Sequence, residues 1–501
     1  MTDALIIGGG SNGMACAFRL ASAGHKVTLL EAGKAPGGGA ALSEFAPDYK
    51  VPALAHLTPR LDPRMAAAMD LARHGLTYAA TDLTTTALSA TGDHRRVHGL
   101  QTDGPDAAQW ATLIQRLTRY ADALAPFRQM TPPRLAGKGN EWGKLARLAF
   151  GLRSMGKPAF RDFLRVILTN AADVAEDELS DDLLRGLFAF DATLGAWAGP
   201  RSPNTLILML NRLSLGPLSL PRGGPAAVAT AMAKALTAAG VTIRTGARVA
   251  RIDTADHRAT GVTLDTNESL TARLIVSAIG PRTTFRSLVG PRPLDTGFHA
   301  AAGHIRARGA AAKLHLALTG TPDFQGADLR TRMVIAPSVN AVETAFNPGK
   351  YGEVPAHPVM EIVIPSAHEH SYAPEGHHVL SAIVQFAPHA PADPEAASKQ
   401  MLENTLATLE THAPGIRALI AHAELLMPSD IEERFGLDGG NWHGAELSVE
   451  QMLFLRPLMQ AAQYVTPIPG LWLAGAGSHP GGWITGTPGW NAAGAVLKGL
   501  S

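Results

Sequence analysis

The chain has 501 residues, room for two or three domains of roughly 100–200 residues each, and its 46% hydrophobic and 17% charged content excludes global disorder. Its 44 Lys and Arg balance 43 Asp and Glu, so a net charge of +1 gives no overall field toward nucleic acid or an anionic membrane. Cys16 is the single cysteine, which excludes an intramolecular disulfide and a cysteine metal cluster. In chain order, the apolar run Ala4-Leu-Ile-Ile predicts a buried parallel strand. Gly8-Gly9-Gly10-Ser11-Asn12-Gly13 follows, then a helix over about 14–23, then a second strand, Val27 to Leu30, ending at Glu31.

The middle predicts helices over 107–130, 141–170, 175–190 and 226–239. Strands are predicted at 241–244, 249–252, 261–264 and 274–278. A second, largely antiparallel set is expected at 313–318, 333–336, 359–364 and 378–386, before a helix over 394–409. Near the end, Leu471 to Ala474 reads as a strand. It runs into Gly475, Gly477, Ser478, His479, Pro480, Gly481 and Gly482, and Gly486 opens a last helix over about 490–497. No run of 18 or more apolar residues occurs, so no transmembrane helix is expected, and the start of the chain reads as a mature cytoplasmic one.

The spacing Gly8-x-Gly10-x-x-Gly13 has a physical meaning. Gly8 permits the tight turn after the strand, Gly10 lets the backbone approach a pyrophosphate, and Gly13 brings the helix close to the sheet. The helix start offers N–H groups to phosphate, and Glu31 lies where a carboxylate can accept both ribose hydroxyls. The strand–glycine loop–helix unit at the other end suggests one nucleotide domain assembled from both ends of the chain. The expected division is a nucleotide domain in three parts (1–75, 216–290 and 431–501), a helical and substrate region at 76–215 and a mainly antiparallel substrate domain at 291–430.

These motifs resemble the FAD-dependent phytoene desaturase and amine oxidase superfamily, in its phytoene dehydrogenase-like branch. The matching blocks are Gly8 to Gly13 with Glu31 and Pro36-Gly37-Gly38-Gly39-Ala40, then Asn441 to Ser448 with Gln451 and Arg456-Pro457. The third is Gly470 to Gly482, with Gly486 and Asn491-Ala492-Ala493. The resemblance implies an α/β, Rossmann-like FAD-binding domain with an inserted mixed α+β substrate domain and a helical subdomain. It implies FAD held by Gly8, Gly10, Ser11, Asn12, Gly13, Glu31, Ala32, Gly37, Gly38, Gly475, Gly482 and Gly486, and by the backbone of Val249 against adenine. Residues 199–225 keep only a loose form of the family's glycine-rich middle motif.

Flavin chemistry needs orientation, tuning and local proton transfer from the protein. His479, His443 and Arg456 are the catalytic candidates. His479 is expected nearest the reaction, and Arg456 either stabilises charge on reduced flavin or braces its loop. No HExxH spacing occurs, and no functional metal is expected. Residues 144–165 alternate basic and apolar side chains, with Pro158 expected to split them into two helices. They read first as a charged face at a protein surface or a subunit interface of a homo-oligomer, and they are where peripheral membrane contact is to be sought if the substrate is lipophilic. Three functions stay open. One is hydride transfer between FAD and a C–C or C–N bond of a lipophilic small molecule. The others are an oxygen-using amine or alcohol oxidase, and an FAD-retaining structural or interaction protein.

Overall fold

The computed structural model describes residues 2–134 and 141–500. Five strands form a parallel sheet in the spatial order Thr242–Arg244, Val27–Leu30, Ala4–Ile7, Leu274–Ser277 and Leu471–Leu473. All four side chains of Ala4–Ile7 are buried because the sheet is covered on both faces. Ala4 and Ile6 pack against the helices Ser11–Ser22, Pro225–Ala238 and Thr487–Leu500. Leu5 and Ile7 point the other way, into a core shared with Ile252, Val262 and Phe285. That second layer contains a three-stranded antiparallel sheet, Val249–Ala255, Arg258–Leu264 and Ser269–Thr271. The strands expected at 249–252 and 261–264 thus lie in the covering sheet, and Ser269–Thr271 completes it.

A second, eight-stranded sheet runs in the order Ile420–Leu426, Ala311–Leu318, His378–Gln385, Val359–Val363, Arg332–Ile335, Thr85–Ala87, Arg95–His98 and Gln101–Thr102. Its first five members are antiparallel, except that Arg332–Ile335 pairs in parallel with Thr85–Ala87. The segment at 85–102, expected in the helical region, therefore extends this sheet. A helical layer including Ala107–Arg128, Asp182–Thr193 and Val339–Phe346 packs on it through Trp110, Phe188 and Val334.

The helix expected over 175–190 is two helices, Ala171–Glu178 and Asp182–Thr193. Asp106 breaks the run by accepting from the backbone N–H of Ser180 at 2.5 Å and Asp181 at 2.6 Å, after which Asp181 caps the second helix. The stretch at 141–170 also divides, into Trp142–Arg153 and Lys157–Val166, with Pro158 in the first turn of the latter. Trp142, Phe150, Leu164 and Leu168 are exposed there. The side chains of Arg147 and Leu148 lie outside the described residues. No helix among the described residues is long and apolar enough to cross a membrane.

Candidate active site

A cavity of about 740 Å³ begins at the carboxyl edge of the parallel sheet. Its first part is lined by Gly8, Gly9, Gly10, Ser11, Asn12, Glu31, Ala32, Gly37, Gly38 and Val249. Glu31 organises this end. Its Oε2 accepts from Gly9 N–H at 2.8 Å and its Oε1 from Gly33 N–H at 2.7 Å. The Glu31 carbonyl accepts from Ala247 N–H at 2.8 Å, which draws Val249 to the same wall.

The glycines separate by what a side chain would meet. Gly8 has φ +100°, a conformation that favours glycine. Gly13 carries no side chain because a Cβ would run into the Gly8 carbonyl, where helix meets strand. Gly10 is different: φ is an ordinary −69°, and no protein atom lies within 4 Å of a Cβ there. A side chain at Gly10 would enter the cavity, so its smallness serves a ligand rather than the packing. The helix Ser11–Ser22 has no side-chain cap and no acid in its first turn, which leaves its positive end to an anion. The Asn12 Oδ1 is buried there without a hydrogen-bond partner. An ADP-type group fits these residues: phosphate at Gly10 and the helix start, ribose beside Glu31, adenine beside Val249.

Gly475, Gly482 and Gly486 do not line the cavity. A Cβ on Gly475 would lie 2.6 Å from the Ile279 carbonyl, and Gly482 and Gly486 abut the His443 ring and the Met65 sulfur. Ala476 and Gly477 form the wall in their place.

None of the three catalytic candidates lines the cavity. The His479 ring turns away to the carbonyls of Leu453, 3.1 Å from Nδ1, and Phe127, 2.9 Å from Nε2. Burial pulls its pKa down to about 4, and a neutral ring donates to only one of those carbonyls. His443 lies closer, behind the cavity-lining Trp442, Gly444 and Trp483, with burial pulling its pKa to about 3. Arg456 is fully buried, and its guanidinium donates to five carbonyls, those of His443, Ala445, Glu446, Gln451 and Ala476. Burial lowers its pKa to about 9. It ties the 443–451 loop to the 476 turn.

The far end of the cavity holds groups that local motifs did not flag. Its apolar wall includes Leu57, Leu194, Leu218, Ile383 and Trp483, and its polar residues are His56, Arg212 and Glu361. His56 Nε2 lies 2.7 Å from Glu361 Oε1, and Lys313 Nζ lies 2.9 Å from His56 Nδ1. This network fits the tautomer in which Nδ1 accepts from the lysine and Nε2–H donates to the carboxylate. Arg332 pairs with both Glu361 and Asp191. Burial pulls His56 down to about 4 and Lys313 down to about 7. Burial alone would raise Glu361, but the Arg332 charge and the His56 hydrogen bond hold it well below the usual range. One sequence signal was available: Glu361 interrupts the apolar run Val359 to Ile364, where an acid must find a buried partner.

A parallel sheet with a glycine loop at its edge, opening on a cavity with an apolar far end, defines a nucleotide-dependent enzyme of the FAD type. Residues 13–497 match the model of the flavin-containing amine oxidoreductases, and the chain belongs to that family and is an FAD-dependent oxidoreductase. Pyridine nucleotide-disulfide oxidoreductase domain-containing protein 2 of Rattus norvegicus is 27% identical over 99% of this chain and 94% of its own. The lycopene-forming phytoene desaturase of a Paracoccus species is 26% identical over 97% of this chain and 95% of its own. Among solved structures, an oxidoreductase from Methanosarcina mazei covers 99% of this chain and 100% of its own, at TM-score 0.63 and 16% identity. Cyclohexylamine oxidase from Brevibacterium oxydans covers 100% and 99%, at TM-score 0.59 and 17% identity. At those identities the two structures support the fold alone.

Proposed function

We propose that the chain transfers a hydride from a C–H of a largely apolar organic molecule, at a carbon–carbon or carbon–nitrogen bond, to the N5 atom of FAD. The observation that carries this reading is one continuous cavity. It joins the loop suited to ADP, at Gly10 and Glu31, to an inner chamber walled by Leu57, Leu194, Leu218 and Ile383. FAD supplies the two-electron acceptor. The protein supplies the cradle, the exclusion of water by Leu57, Leu218 and Trp483, and polar hydrogen-bonding groups. On the inner wall those are His56 and Glu361, joined at 2.7 Å. If the bond oxidised is carbon–carbon, a proton leaves with the hydride, and Lys313, whose Nζ lies 2.9 Å behind His56 and whose pKa burial brings to about 7, is the group of this network basic enough to hold it. A neutral amine needs none, because its nitrogen lone pair drives the hydride out.

The test is anaerobic mixing of the purified FAD-bound protein with alkenes, amines and alcohols that carry long apolar chains, followed by loss of flavin absorbance. Bleaching by at least one class supports the reading. Rapid reoxidation in air with peroxide release would assign the oxidase branch. A stable flavin that no class reduces would refute hydride transfer and leave the FAD-retaining structural protein. The exposed Trp142, Phe150, Leu164 and Leu168, beside Arg153, Lys157 and Arg161, support peripheral contact with anionic bilayers, which sedimentation with vesicles tests.

A further inference from the structure

We propose that the substrate of this chamber is amphiphilic, an apolar body ending in a single carboxylate, and that Arg212 is the residue that recognises the carboxylate. The proposal rests on the hydride-transfer reading of the same cavity.

Arg212 stands on the helix Leu206–Leu213 and lines the inner cavity. Its one protein hydrogen bond among the described residues runs from Nη1 to the Gly216 carbonyl at 3.3 Å, and its Nε is buried without a partner. No Asp or Glu among the described residues lies within ion-pair distance of it. The contrast with Arg332 is instructive. That arginine is 1% exposed and shares its charge between Asp191 and Glu361. One cation at the chamber end is therefore saturated by protein, and the other, half-buried and lining the cavity, is held by a single hydrogen bond of 3.3 Å. A partly desolvated guanidinium with so little protein pairing is retained at a cost, which a carboxylate on its fork offsets.

The surrounding chemistry narrows the ligand. Leu57, Leu194, Leu218, Ile383 and Trp483 accept an alkyl, alkenyl or ring body rather than a sugar or peptide. Asp191 and Glu361 balance Arg332 and Arg212, and Lys313, whose pKa burial brings to about 7, is the further group that can add a positive charge. One added negative charge is then neutralised, whereas a dianion is not. An ammonium head would place a second cation beside Arg212. A pure hydrocarbon would displace water from the half-buried guanidinium and leave it unpaired. Burial and the neighbouring Arg332 charge both depress the Arg212 pKa, while Asp191 and Glu361 support it at longer range, and an arginine stays protonated throughout the neutral range.

The FAD-bound protein is titrated with decanoate, decan-1-ol, decylamine and decyl phosphate, and binding is read as perturbation of the flavin absorbance bands. Decanoate is expected to bind about ten-fold or more tighter than the other three. Arg212→Met should weaken decanoate by roughly one to two decades and leave decanol within about three-fold, with Arg212→Lys restoring part of the loss. Equal or tighter binding of decylamine, decanol or decyl phosphate would overturn the assignment. So would unchanged decanoate affinity in Arg212→Met, or a shift in flavin reduction potential in that variant without a change in decanoate affinity, which would place Arg212 in service of the flavin. The wild-type ligand series decides the matter should Arg212→Met fail to hold FAD. Selective decanoate binding with no flavin reduction by any substrate class supports the carboxylate site while refuting hydride transfer, so the two readings fail separately.

Discussion

Glu31→Gln, a change of one atom, should be almost as damaging as Glu31→Ala. Both carboxylate oxygens already accept from backbone N–H groups, Gly9 at 2.8 Å and Gly33 at 2.7 Å. An amide keeps one acceptor and turns an NH₂ donor against the other N–H. The variant therefore loses one charge-assisted hydrogen bond and gains a donor–donor conflict, at a point where the second lone pairs are the expected ribose acceptors. A hydrogen bond to a charged group is worth roughly 1.5–3 kcal/mol, and partial exposure argues for the lower half of that range. The FAD dissociation constant, followed by flavin fluorescence on dilution, should rise by about one to two decades. Because these bonds exist within the protein itself, the FAD-free protein should also melt at a lower temperature. FAD affinity within about three-fold of wild type, together with an unchanged melting temperature of the FAD-free protein, would refute this account of Glu31.

Gly10→Val should leave the melting temperature of the FAD-free protein unchanged but reduce FAD affinity by more than about 100-fold. Gly13→Ala should instead destabilise the fold, because its Cβ meets the Gly8 carbonyl, and melting with and without FAD separates the two cases. His479→Ala should lower stability by roughly 1–3 kcal/mol in urea titrations, since it strips a partner from the buried carbonyls of Phe127 and Leu453. Its rate of anaerobic flavin reduction should stay within about three-fold of wild type, and a loss of the roughly 10²–10⁴ typical of a general acid or base would return His479 to the chemistry. Stability should fall as pH drops from about 6.5 toward 4: His56 and His479, with folded pKa values of about 4, and His443, at about 3, bind protons later than the unfolded chain does. A shift of the His56 size is worth on the order of 3 kcal/mol over that window, and a urea midpoint that holds between pH 7 and pH 4.5 would contradict the burial argument.

The glycine-loop end of the cavity was readable in the sequence because its parts are local. Ala4 to Glu31 holds a strand, a turn, a helix, a second strand and an acid, each with its own composition signal. The inner end was not readable as a site, since His56, Arg212, Arg332 and Glu361 meet only after helix and sheet have packed, and Glu361 alone, an acid inside an apolar run, carries a local signal of burial. His479 shows the same limit from the other side. Its backbone lies beside the cavity turn at Ala476 and Gly477, but the direction of its ring is set by Phe127, 352 residues earlier. The division at Ser180 was missed for a similar reason, because the helix is interrupted by Asp106, a carboxylate 74 residues away.

The place of the last helix has a consequence for biogenesis. Thr487–Leu500 lies against Ser11–Ser22 so closely that Gly489 meets the Asn12 carbonyl, and Arg19 donates to the Trp490 carbonyl at 2.6 Å. The helix Ser11–Ser22 thus leaves the ribosome early and waits through some 470 further residues for the segment that seals its outer face. During that interval the side of the helix that will meet Gly489 and Trp490 has no permanent cover. Long-range closure of this kind is slow and exposes sticky intermediates, so cofactor capture should follow release of the finished chain, and shortfalls of FAD or of folding assistance should first show as aggregation rather than as an inactive soluble enzyme.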